Sequence, residues 1–133
     1  MQTKPVLTID ETTQILAAAR AEAEKNQWPV AIAVVDDGGH LLGLLRLDGS
    51  APISSDMAIG KAKTSALGRR ESRLYEEMIN NGRTAFVSAP LVATLEGGIP
   101  VIVDGQVVGA VGVSGVKPGE DAQVARVGAQ ALA

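Results

Sequence analysis

Cysteine is absent from this chain of 133 residues, so disulfide scaffolds, thiolate metal sites and cysteine nucleophiles are all excluded. Aromatic residues are nearly absent too: Trp28, Tyr75 and Phe86 are the whole complement. Recognition of single-stranded nucleic acid by base stacking therefore lacks its usual platform. Neither sign of charge dominates. A net charge of −3 and a pI near 5.1 offer no general attraction to phosphate backbones or anionic membranes. No apolar run approaches the roughly 18 residues of a membrane span, and Met1–Thr8 does not read as a secretory signal. The expectation is a cytoplasmic protein without nucleic-acid or membrane partners. Histidine occurs once, at His40, so any imidazole chemistry rests on one residue.

What is present is a core-forming alphabet of Val, Ile, Leu and Ala, with 46% of residues hydrophobic. The length suits one domain, residues 1–133, able to bury a core without staples. Thr8-Ile9-Asp10-Glu11 has the form of a capping box, and helical spacing follows to about Asn26. Pro29 then hands over to Val30–Val35, apolar on both faces as a strand covered from both sides would be. Asp37-Gly38-Gly39 suits a tight turn, and His40–Leu47 returns as the partner strand. Ser54 or Ser55 is the expected cap of a second helix, whose Ala58, Ala62, Ser65 and Ala66 form a small-residue face. Gly68 interrupts it, and Glu71–Asn80 reads as a further helical piece.

Thr84–Ser88 reads as a short strand. Ile99–Val103 and Gln106–Ser114 flank an Asp104-Gly105 turn as a second hairpin. A last helix opens near Lys117-Pro118-Gly119-Glu120-Asp121, its acidic residues placed where the helix dipole favours them. Strands joined by hairpins predict an α+β domain on a mainly antiparallel sheet of about five strands flanked by helices. Neither a dinucleotide-binding glycine fingerprint nor a Walker A loop is present.

Several stretches, in order, resemble one known family: Val34-Val35-Asp36-Asp37-Gly38-Gly39-His40-Leu41-Leu42, Arg46-Leu47-Asp48-Gly49-Ser50, Lys61-Ala62-Lys63-Thr64, Gly97-Gly98-Ile99-Pro100-Val101 and Gly109–Gly115. The chain resembles the GlcG/HbpS family, also called the haem-degrading domain family, which includes a domain fused to some corrinoid adenosyltransferases. The resemblance spans almost the whole chain. It implies a profilin-like α/β/α sandwich that forms homo-oligomers, from dimers to octamers. It implies haem binding in some members, with iron release or haem degradation in some, and a place in catabolic operons for others.

Each charged residue has two readings. His40 is either a solvated residue at a hairpin turn or a haem-iron ligand. Arg46 and Asp48, two apart on one strand, either pair with each other or leave Arg46 to bind a carboxylate. Lys61 and Lys63 stand about 200° apart around a helix, and Lys61 lies nearer the small-residue face. Arg69 and Arg70 either bind carboxylates of a ligand or pair with nearby glutamates. Gly97-Gly98 either lets a ligand approach the backbone or simply turns the chain.

Two functions follow. The leading one is a cytoplasmic small-molecule binding protein taking haem or a related tetrapyrrole. Its ligand would bear carboxylates, with His40 on the iron and Arg46, Lys61, Arg69, Gly97 and Gly98 completing the site. The alternative is a cofactor-independent enzyme (an isomerase, lyase or hydrolase) acting on a small organic acid. There Arg46 would clamp the acid, Asp36 or Asp48 move a proton, and Lys61 stabilise negative charge. A ring-forming subunit with a purely structural role is a third reading.

Overall fold

The computed structural model describes all 133 residues. Helix α1 (Ile9–Lys25) begins at the expected capping box: Thr8 Oγ1 accepts from the Glu11 amide at 3.3 Å, and the Thr8 amide donates to Glu11 Oε1 at 3.2 Å. Strands β1 (Ala31–Asp36) and β2 (Leu41–Arg46) form the first hairpin. Helices α2 (Ile53–Gly68) and α3 (Arg73–Asn80) follow, then β3 (Gly98–Val103), β4 (Gln106–Ser114) and α4 (Pro118–Ala129). The sheet is antiparallel throughout, in the order β2-β1-β4-β3. No helix is long and apolar enough to cross a membrane.

The alternation of β1 sends its residues to two different layers. Ile32 and Val34 join Val111, Val113, Ile99 and Val101 beneath α1 and α4, where Ile15, Ala19, Val124 and Ala125 meet them. Ala31, Ala33 and Val35 face the other way, against Ala58, Ala62 and Ala66 of α2. Each large aliphatic in the first layer contributes about 1.5–3 kcal/mol by leaving water. The second layer is thin, built from alanines, so the backbone of α2 lies almost on the sheet. A Cβ at Gly112 would overlap the Ala58 carbonyl oxygen and stand 2.5 Å from the Ala62 nitrogen. Helices thus cover both faces of one α+β sheet.

Four local expectations differ from what is found. The sheet has four strands, not about five. Thr84–Ser88 is a 3₁₀ turn. Its bonds are local, from the Phe86 amide to the Arg83 carbonyl and from the Ala89 amide to the Phe86 carbonyl. Phe86 packs on Tyr75 with centroids 5.8 Å apart, so the segment needs no strand partner. Neither Ser54 nor Ser55 caps α2, because Pro52 already sits in helical conformation and starts the helix ahead of them. Gly68 is the last helical residue rather than a break, and Arg69 takes the left-handed cap with φ +56°. Glycine is needed at 68 because any Cβ would run into the Tyr75 ring.

One irregularity shapes the site. Val34 pairs with Gly43 but Val35 pairs with Leu41, so Leu42 is an extra residue in β2. The bulge turns Leu42 towards the first core layer and leaves Leu41, opposite Val35, 46% exposed on the α2 side.

Candidate functional site

The residues singled out in the sequence occupy three places. The first is the tip of the β1–β2 hairpin. Asp36 Oδ1 accepts the Gly38 and His40 amides, both at 2.9 Å, so this carboxylate closes the turn. Gly39 holds φ +82°, and a Cβ there would touch Lys63 Cγ and Leu67 Cγ at 3.5 Å. Asp37 points away from the turn to Lys4 and, at 3.6 Å, to Arg69. These two cations, the Lys4 hydrogen bond foremost, hold the Asp37 carboxyl below its ordinary range.

Arg69 is fixed from both ends. Its Nη1 donates to the Asp37 carbonyl at 2.5 Å and to the Ala66 carbonyl at 3.0 Å, tying the helix end to the hairpin. With Lys4 it also borders an open cleft of about 740 Å³ against Ile102, Gln106 and Val107. His40 is exposed, its ring lying beside Gly38, and neither ring nitrogen has a protein partner. Leu41 and Leu67, 46% and 49% exposed, add apolar surface on this side of the hairpin and α2. No three His, Asp or Glu side chains come together as a site for a bare metal ion.

The second place is the opposite end of β2, about 17 Å from Asp36 by the rise of five strand residues. Arg46 and Asp48 lie here, and they do not pair with each other. Both line an open cleft of about 680 Å³ with Arg20, Glu24 and Trp28. Its walls are the α1–β1 connection and the loop leaving β2, which touch where Gly49 meets Pro29. Within it, Arg20 Nε donates to Glu24 at 2.6 Å.

The third place is the interior. Lys61 is 4% exposed, and its ammonium donates to Asp121 Oδ2 at 3.1 Å and to the Val113 carbonyl at 3.0 Å. The other oxygen of Asp121 accepts the Val116 amide at 3.1 Å. Burial pushes the Asp121 carboxyl above the usual carboxylate range, against the pull of Lys61. Gly97 and Gly98 are what this lysine passes. A Cβ on Gly97 would stand 2.8 Å from Lys61 Cδ, and one on Gly98 would overlap the Lys61 carbonyl oxygen. The Gly98 amide is taken by Ser72 Oγ at 2.8 Å.

Asp36, Asp48 and Lys61 therefore do not meet in one subunit; Arg69 and Asp37 do, and His40 shares their hairpin turn with its amide held by Asp36. Sequence reasoning passed over four contributors. Asp121 read only as a helix-dipole charge, Lys4 lay in an unpatterned terminus, and nothing local linked Trp28 and Arg20 to Asp48. Asp121 and Lys4 gain their partners, and Trp28 and Arg20 their place in the cleft with Asp48, only through the fold.

Comparison with known proteins fits this architecture. The family described as "Haem degrading protein HbpS-like" matches residues 7–130. Protein GlcG of Escherichia coli (strain K12) is 60% identical over 114 residues, which is 86% of this chain and 85% of GlcG. A crystal structure of a double mutant of HbpS from Streptomyces reticuli is 34% identical with a TM-score of 0.89, covering 100% of this chain and 91% of that one. The crystal structure of a PduOC–haem complex shares the fold at 24% identity and a TM-score of 0.85, over 96% of this chain and 95% of that one. With the family match running through every helix and strand of the sandwich, this chain belongs to the HbpS-like family.

Proposed function

We propose that this protein binds haem or a related tetrapyrrole at the tip of its first hairpin. One observation carries the reading: the chain's single imidazole is exposed at this hairpin tip without a protein partner, and the same tip carries the Asp37 carboxylate that Lys4 and Arg69 hold. The donor set suits the group. His40 offers one nitrogen for the iron, Leu41 and Leu67 offer apolar surface, and Arg69 and Lys4 share a single carboxylate, Asp37, leaving capacity for a ligand's carboxylates. Bound haem, held by His40, would supply an iron centre for small-ligand binding or redox chemistry. The family description and the haem complex of a relative support the same class of ligand.

Asp36 positions His40 by holding its amide, and Lys61, Gly97 and Gly98 seat α2 against the sheet towards the other end of β1. Homo-oligomerisation belongs to the reading. A single subunit leaves Leu41 and Leu67 open, and a second copy laid over them would complete an apolar wall. The reading also places the protein in the cytoplasm. The enzyme alternative needs Arg46, either Asp36 or Asp48, and Lys61 around one pocket; Arg46 and Asp48 share a cleft, but the Lys61 ammonium is buried on Asp121 and does not line it.

The test is a hemin titration of the purified protein followed by Soret absorbance, with His40→Ala alongside. The reading expects a saturable shift at one haem per subunit or per subunit pair, weakened at least tenfold in the variant. A non-saturating response in the unaltered protein refutes it.

A further inference from the structure

The cleft at the far end of β2 has no part in the reading above. Two guanidinium and two carboxylate side chains line it, from Arg20, Arg46, Glu24 and Asp48. Only Arg20 and Glu24 are paired. Arg46 and Asp48, one of each sign, sit two residues apart in the same cleft and make no ion pair with any residue. The Trp28 indole is half-buried against the first core layer. Its N–H has no protein partner, and because no buried side-chain nitrogen is left unsatisfied, that N–H is open to solvent.

Opposite charges this close in sequence ordinarily neutralise each other, yet Asp48 lies in the turn that follows Arg46 and does not reach it. Here a separated cation and anion stand beside an aromatic ring and a free donor. A pure anion entering this cleft would face Asp48 and Glu24, and a pure cation would face Arg20 and Arg46. A molecule carrying both charges on a short frame meets neither penalty. We propose that this cleft is a second ligand site, for a small zwitterion of the amino-acid or betaine class. Its carboxylate is received by Arg46 and the Trp28 N–H, and its ammonium by Asp48 against the Trp28 face.

Trp28 is the only tryptophan in the chain, so its fluorescence reports on this cleft alone. The probes are glycine and glycine betaine, with acetate and tetramethylammonium as single-charge controls at matched ionic strength. The proposal expects a saturable fluorescence change with at least one zwitterion, at an affinity at least tenfold better than either control. Arg46→Gln and Asp48→Asn should each weaken it at least fivefold. Both side chains are exposed, so the urea midpoint checks that the variants remain folded. Equal responses to all four probes overturn the proposal, as does saturable binding that neither variant alters. Acetate binding as tight as that of either zwitterion in the unaltered protein also overturns it, in favour of a plain anion site. A protein that fails to bind hemin leaves this outcome untouched, because the two sites lie at opposite ends of β2.

Discussion

Replacing Lys61 by Met removes an ammonium that is almost wholly enclosed, along with its bonds to Asp121 and the Val113 carbonyl. The methionine fills similar volume, so the change is electrostatic rather than a cavity. It leaves an Asp121 side chain that is 3% exposed and holds one backbone amide as its remaining partner. Breaking a buried pair from one side costs about 3–5 kcal/mol. A domain of this size is stable by about 5–15 kcal/mol, so the loss is a large fraction of the whole. With a urea slope of about 2 kcal/mol/M, the midpoint falls by about 1.5–2.5 M, and the melting temperature by about 12–20 °C.

The sign of the pH dependence adds a second check. Burial already lifts Asp121 above its unfolded-state value, and losing Lys61 removes the main opposing pull. Between the unfolded and folded values the folded state holds more protons, so stability rises as pH falls through that window. The deficit of Lys61→Met should therefore be smaller at pH 5 than at pH 7. Asp121→Asn keeps an oxygen for the Val116 amide, and a cycle with Lys61→Met/Asp121→Asn should return a coupling of about 2 kcal/mol or more. Urea unfolding followed by far-UV circular dichroism reads all of these. A single-variant loss under about 1 kcal/mol with no coupling would mean the pair is solvated and the interior account is wrong.

Two other perturbations follow from the packing. Gly112→Ala drives a methyl into the α2 backbone at Ala58 and Ala62, where nothing can rotate away, and should cost about 3 kcal/mol or more. Gly119→Ala, in the first turn of α4 with no atom within 4 Å of its Cβ, should be neutral or stabilise by up to about 1 kcal/mol. Thermal unfolding of the pair compares them directly, and equal behaviour would contradict the close approach of α2. Asp36→Ala frees the Gly38 and His40 amides at an accessible turn and should cost about 1–2 kcal/mol, with exchange of those two amides by NMR accelerating first.

Much of the fold was legible because its signals are local. Thr8 and Glu11 announce the first helix, the unbroken apolar run Val30–Val35 announces a strand covered on both faces, and the glycine turns announce two hairpins. Thr84–Ser88 misled because Phe86 and Val87 suit a strand, and only the fold shows them turned into a local 3₁₀ segment packed on Tyr75. Pro52 outcompeted the serines at the start of α2 because its fixed φ is already helical.

The site was legible in part. Lys61 lay nearest the small-residue face and is indeed the buried lysine, but its partner is 60 residues further along the chain. The Gly97-Gly98 pair does permit a close approach, and what approaches is the chain itself at Lys61. Arg69 and Asp37 come together only because α2 ends over the hairpin turn, a tertiary fact with no short-range trace. The Leu42 bulge belongs to the same class, since it exists only in the pairing of β2 with β1.

The central claim is that His40 holds the iron of a bound tetrapyrrole, and an imidazole rescue tests it most directly. Ferric haem is added to the unaltered protein, to His40→Gly, and to His40→Gly with free imidazole, and the Soret band and ligand-field transitions are compared. The account predicts an altered spectrum in the variant and the original one restored by imidazole. Identical spectra for the unaltered protein and His40→Gly without imidazole would contradict it.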